Sequence, residues 1–143
     1  MTIPQRVSLI TLGVADVARA TEFYESLGWQ RSPASQDSIT FFSMQGSAFA
    51  LFGRGDLAAD AMQPTPGDEL SFRGVSLAIN FESREAVDVA FAEWVAAGAV
   101  PVKQPVAAEW GGYSSYVSDL DGHMWELAHN PYSPNQPDGR MTL

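Results

Sequence analysis

Val7-Ser8-Leu9-Ile10-Thr11-Leu12-Gly13, running on through Val14-Ala15-Asp16-Val17 to Phe23-Tyr24 and Leu27-Gly28, is the stretch on which the fold turns. Its first half is β-branched and apolar and closes on a glycine, the pattern of a strand. Asp16 then stands where a helix N-cap belongs. Val17, Ala20, Phe23, Tyr24 and Leu27 follow at helical spacing, and Gly28 suits the left-handed position that ends a helix. Three short strand-like runs come next, near Trp29 to Ser32, Ile39 to Met44 and Ala48 to Phe52, with Gln45-Gly46 as the turn between the last two. The order is β-α-β-β-β.

After Gly74 the same order returns. Val75 to Phe81 matches the first strand, and Ser83 is a plain N-cap, with Ala86 where a capping box would place Glu. Val87, Ala90, Phe91, Trp94 and Val95 form an apolar stripe that ends before Gly98. Strands are expected near Ala99 to Lys103, Tyr113 to Ser118 and His123 to Ala128, the last two joined by the turn Asp119-Leu120-Asp121-Gly122. An internal repeat is therefore the main organisational feature. It predicts an α+β fold of one 143-residue domain: a first βαβββ module over residues 5–53, a linker over 54–73, a second βαβββ module over 74–131 and an irregular tail over 132–143. The linker is punctuated by Gly53, Gly55, Pro64, Pro66 and Gly67, although Asp56 to Met62 can form a short helix. Two such modules side by side give a curved, cup-shaped mixed sheet flanked by helices, and a concave surface of that kind suits a small ligand. A duplicated module can equally be a stable scaffold without a site.

Composition narrows the chemistry. With 45% hydrophobic residues the chain can bury a core without staples. It has no cysteine, which excludes disulfides, thiolate metal sites and a cysteine nucleophile and accords with a cytoplasmic location. Met1 to Ser8 lacks the charged and apolar signature of an export signal, and no apolar run approaches membrane-spanning length. Seventeen acidic residues against eight basic ones leave a net charge of −9, so neither nucleic acid nor anionic lipid is an expected partner. Neither a phosphate-binding glycine loop nor a nucleophile elbow is present, and Arg54-Gly55-Asp56 is assigned no role.

Two segments resemble the vicinal oxygen chelate superfamily of glyoxalase I, bleomycin-resistance proteins and extradiol dioxygenases. The opening strand and helix with its Phe23-Tyr24 pair is one. The other, more specific, is Trp110-Gly111-Gly112-Tyr113 leading into Asp119-Leu120-Asp121-Gly122-His123-Met124-Trp125-Glu126-Leu127, similar to the family's Asp-Pro-Asp-Gly turn and last strand with Leu120 in place of proline. The resemblance spans about Val7 to Pro131. It implies homodimers, and in metal-dependent members it implies four ligand positions, which fall here on Leu9, Ala50, Ser76 and Glu126. Only Glu126 is a strong donor, and a lone carboxylate does not hold a divalent ion against water. No metal and no other cofactor is therefore expected. His123 and His129 alternate to the face opposite Glu126.

Strand alternation places Leu9, Thr11, Ala50, Phe52, Ser76, Ala78, Asn80, Met124 and Glu126 on the face that lines the cup in the family. Ile10, Leu12, Leu51, Leu77, Ile79, Trp125 and Leu127 then turn toward the helices. Trp110 and Tyr113, beside the Gly-Gly pair, can wall a pocket, whereas the facing of Phe41, Phe42 and Tyr116 is not fixed by the sequence. The candidate ligand-binding residues are thus Leu9, Thr11, Phe52, Ser76, Asn80, Trp110, Tyr113 and Met124, with Glu126 the one candidate for catalysis. Two functions stay open: a protein of the bleomycin-resistance type that binds an apolar or aromatic small molecule, or a lyase, isomerase or dioxygenase that uses Glu126 as base or metal ligand. A regulatory or structural module with an incidental cup is the third reading.

Overall fold

The computed structural model describes residues 2–68 and 71–143. The chain divides between residues 68 and 69 into two compact units. The first contains β1 (Leu9–Val14), α1 (Val17–Ser26), β2 (Ile39–Ser43), β3 (Ala48–Gly53) and α2 (Arg54–Asp60). Its sheet has the order β1-β3-β2, with β1 parallel and β2 antiparallel to β3. The second unit contains β4 (Ser76–Asn80), α3 (Arg84–Ala96), β5 (Val100–Ala107), β6 (Tyr113–Ser118) and β7 (Met124–His129). Its sheet runs β4-β7-β6-β5, with β4 parallel to β7 and the other neighbours antiparallel. The molecule is an α+β protein with two open mixed sheets, consistent with two βαβββ modules.

Both module helices begin and end as their sequences dictate. The Asp16 carboxylate accepts a hydrogen bond from the Arg19 amide at 3.1 Å, and the Ser83 hydroxyl accepts one from the Ala86 amide at 3.1 Å. These bonds satisfy backbone donors that the first helical turn leaves without partners. Gly28 and Gly98 follow the last turns at φ +92° and +114°, a region costly for any side chain.

Each helix covers one face of its own sheet. In the first unit the Tyr24 ring lies 5.2 Å from Trp29, 5.2 Å from Phe49 and 6.3 Å from Phe42, and Val14 and Leu51 are buried beside them. In the second, Val87, Ala90, Phe91 and Trp94 of α3 are buried with Val117, Trp125 and Leu127 of the sheet. Trp94 and Trp125 meet at 5.3 Å between ring centroids. Leu77 and Ile79 of β4 are only half-buried.

Three segments differ from their sequence-based expectation. The strand expected over Trp29 to Ser32 is reduced to a single bridge, Arg31 with Phe42. Pro33 restricts the residue before it and donates nothing to a ladder, and the Trp29 ring is stacked on Tyr24. Within the segment expected to be a linker, α2 begins at Arg54, directly after β3. It packs on β1 and β3 with Ala58 buried, so it belongs to the first unit. Gly13 permits this: a Cβ there would lie 3.1 Å from the Arg54 backbone. Finally, β5 runs to Ala107, well past Lys103, because Pro101 and Pro105 are tolerated on an edge strand that carries two register shifts.

Candidate functional site

The two sheets are laid out alike. Leu9 pairs with Ala48 and Thr11 with Ala50; Ser76 pairs with Met124 and Ala78 with Glu126. The next strand puts Phe41 beside Ala50 in the first unit and Tyr116 beside Glu126 in the second, and β5 adds Lys103 beside Tyr116. Each unit therefore carries one row across its sheet: Thr11, Ala50 and Phe41 in the first, Ala78, Glu126, Tyr116 and Lys103 in the second. Intervening residues such as Leu12, Leu51, Phe42, Val117, Trp125 and Leu127 are buried. Alternation thus turns both rows to the face opposite α1 or α3. The first row is nearly all apolar, and the second holds charge.

The second row couples its groups electrostatically. The Tyr116 hydroxyl is held above the ordinary phenol value by burial, then by the charge of Glu126 and the hydrogen bond that its carboxylate accepts. A hydrogen bond with Ser76 acts the other way, as donation to the phenol oxygen favours its ionised form. The Lys103 ammonium stands 5.9 Å from the centre of the Tyr116 ring, within reach of cation–π attraction.

Of the residues singled out from sequence, Ser76, Asn80, Met124 and Glu126 share this face of the second sheet, Ser76 exposed and the other three half-buried. Leu9, Thr11 and Phe52 share the corresponding face of the first sheet. Leu9 is exposed, Thr11 and Phe52 are half-buried, and Ala50 between them has no exposed surface. Trp110 is exposed in the loop before β6, its ring lying against Gly112, where a Cβ would be 2.2 Å away. Tyr113 is on the other side of its sheet. Its hydroxyl donates to Asp88 of α3 at 2.7 Å, and the Arg84 guanidinium is 5.3 Å from its ring. The bond to Asp88, then burial, raises the Tyr113 phenol above its usual value, against the pull of Arg84.

Neither histidine is turned to this row. His123 Nδ1 lies 2.9 Å from an Arg73 guanidinium nitrogen, which can only donate, so this ring nitrogen accepts. His129 Nδ1 lies 2.8 Å from the Phe81 carbonyl and therefore donates. A separate groove of about 450 Å³ beside β2 is lined by Trp29, Gln30, Phe42, Ser43, Met44 and Gln45. It holds none of the residues expected to act and no ionisable group.

Sequence reasoning left the facing of Tyr116 open and passed over Lys103. A signal for the first existed. The Asp119–Gly122 turn joins Ser118 to its partner Met124, and counting two residues away from the turn on each strand pairs Tyr116 with Glu126. Lys103 lies between the two register shifts of β5, where such counting fails.

The model of the Glyoxalase/Bleomycin resistance protein/Dioxygenase superfamily matches residues 6–127. The chain belongs to this superfamily. Among solved structures it is similar to a glyoxalase-related enzyme from Fulvimarina pelagi, at 32% identity over 98% of this chain and 99% of the other, with a TM-score of 0.87. A glyoxalase/bleomycin resistance protein/dioxygenase from Nocardioides shares the fold at 22% identity and a TM-score of 0.75, covering 90% of this chain and 85% of the other. So does a lactoylglutathione lyase from Agrobacterium tumefaciens, at 18% identity and 0.64, covering 91% and 97%. No match is found among curated proteins.

Metal-dependent members of the superfamily take ligands from the positions that Leu9, Ala50, Ser76 and Glu126 occupy here. In the first unit both side chains are apolar and Ala50 is fully buried. In the second, Ser76 is a neutral hydroxyl and Glu126 the one carboxylate, with Tyr116 beside it in register. Among the described residues no three His, Asp or Glu side chains converge as a ligand set. The donor set does not fit a divalent ion, which needs three or four protein donors at fixed geometry.

Proposed function

We propose that this superfamily member binds an apolar or aromatic small molecule without a divalent metal, on the face of the second sheet opposite α3. The observation that carries this reading is the setting of Glu126. At the one family ligand position that keeps a strong donor, the strand register puts Tyr116, not a second donor for a metal, beside the carboxylate, and the other three positions hold Leu9, Ala50 and Ser76. In the second unit the Tyr116 ring supplies aromatic surface and Ser76, Glu126 and Lys103 a few polar groups, the combination common in small-molecule sites; the face of the first sheet, taken by itself, offers mostly apolar surface through Phe41 and Phe52. Trp110 and Tyr113, which are not on these rows, take no part.

A second reading has its own support: the relative from Fulvimarina pelagi is described as a glyoxalase-related enzyme. In that case Glu126 is the proton acceptor, and Tyr116 is the positioning residue that directs its carboxylate. Elemental analysis of protein purified without chelator or added metal separates the two from metal chemistry. Less than about a tenth of an equivalent of zinc, nickel, manganese or iron per chain is the expected result for a site with one strong donor. Near one equivalent, bound with loss of activity on chelation, would overturn the proposal.

A further inference from the structure

Lys103 is the only lysine of the chain, and it lies in the row that also holds Glu126. The register is unambiguous: Lys103 is beside Tyr116, and Tyr116 is beside Glu126. Two strand spacings, about 9–10 Å, therefore separate the backbones of the opposite charges. Among the described residues the ion pairs are Arg31–Glu25, Arg54–Asp68 and Arg140–Asp138, so Lys103 and Glu126 are not joined to each other. The phenol ring of Tyr116 lies between them. The nearest neighbours on the same face are mostly short: Ala78 beside Glu126, Ser114 and Ser118 flanking Tyr116, and Ala128 next along β7, with Met124 on the other side of Glu126. Tyr116, Glu126 and Lys103 are thus the long polar side chains of this row.

Each end of the row has its own hydrogen-bonding sense. At the β7 end the Glu126 carboxylate, when ionised, offers acceptors alone and a negative charge. Lys103 offers donors alone and a positive charge. A ligand with one net charge satisfies one end and meets a like charge at the other.

We propose that the ligand is a compact molecule of opposite charges, a cationic nitrogen group received by Glu126 and an anionic oxygen group received by Lys103, with an aromatic or apolar body on the Tyr116 ring. This inference rests on the reading of the sheet face as a small-molecule site and adds the charge polarity of what it holds. An overall charge of −9 disfavours anions in general, which gives the single lysine beside the row a particular role.

Four probes of one size test it on the full chain: 4-(aminomethyl)benzoate, which is zwitterionic; 4-methylbenzylammonium; 4-methylbenzoate; and neutral 4-methylbenzyl alcohol. Amide shifts of β4, β6 and β7 followed through each titration give relative affinities even in the millimolar range. The zwitterion is expected to bind roughly tenfold or more tighter than either singly charged probe. Glu126→Gln should weaken the zwitterion and the cation and spare the anion, and Lys103→Met should weaken the zwitterion and the anion and spare the cation. If the neutral probe binds as tightly as the zwitterion, the charge polarity is overturned while the binding face stands. If the zwitterion wins but neither variant changes the order, the assignment of ends to Glu126 and Lys103 fails. If none of the four moves these amides, both the polarity and the binding face are wrong.

Discussion

Tyr113 and Tyr116 show how one residue type, three positions apart on one strand, is put to two uses. The odd spacing turns them to opposite faces, so Tyr113 ties β6 to α3 through Asp88, and Tyr116 stands beside Glu126 of β7 on the other face. Both phenols hold their proton more tightly in the folded chain than the ordinary value of 10.0. The sign of the pH dependence follows. Below about pH 10 both states are protonated and the contribution is complete; above it the unfolded chain loses protons first, and stability falls until the folded values are passed. Thermal unfolding followed from pH 8 to 11.5 should therefore show a decline that begins near pH 10, and Tyr113→Phe and Tyr116→Phe should each make it shallower. A decline of unchanged steepness in Tyr116→Phe would mean that neither burial nor Glu126 holds the Tyr116 proton in the folded chain. The same variant should leave the Trp94–Trp125 contact undisturbed, because it alters only the face opposite α3.

Among the elements, Trp94 of α3 and Trp125 of β7 carry the helix-to-sheet contact of the second unit, and their places were readable from periodicity alone. Trp94 falls on the stripe of Val87, Ala90 and Phe91, and Trp125 alternates with Met124 and Glu126. Both are buried, at 4% exposure each, with their rings in contact. Truncating either to alanine removes the largest side chain of a packed interface, at a cost of about 3–5 kcal/mol. Denaturant unfolding of Trp94→Ala and Trp125→Ala measures this, and a cost below about 1 kcal/mol in either would place that ring outside the core. Elements governed by such a period, with a cap at each end, were legible. Those decided by competition were not. The strand expected at Trp29 to Ser32 lost to Pro33 and to the packing of Trp29 on Tyr24. The start of α2 was hidden because Gly53 and Gly55 read as loop, whereas Gly13 on β1 is what lets that helix approach. The extent of β5 was hidden by prolines that a central strand would have refused. The polar row was half-legible for the same reason: Glu126 and Ser76 alternate cleanly, but Lys103 sits where the ladder slips.

For the whole molecule, the repeat is the economical description, and it reaches down to register: Leu9 with Ala48 matches Ser76 with Met124, one pair per sheet. A divergence laid on that common frame gives an apolar row in one unit and a charged row in the other. The second unit also exposes large apolar side chains together. Phe72 and Val75 are 66% and 62% exposed just before β4, an edge strand of its sheet. They offer a surface for a second copy of the chain, as one patch facing its own twofold image buries both at once. A standard interface needs about 800 Å² from each partner, a modest share of the 9126 Å² that the chain exposes. We therefore expect a homodimer. Light scattering should give twice the chain mass at micromolar concentration, and Val75→Glu with Phe72→Asp should shift it toward the monomer, since two buried charges per chain have no partner across a twofold axis. The Tm of the double variant decides what a shift means: two exposed positions are not core, so a monomer that keeps its Tm at matched concentration locates the interface, whereas a wild-type chain of monomer mass throughout would remove the dimer from this account and leave the second unit's row to bind its ligand within one chain.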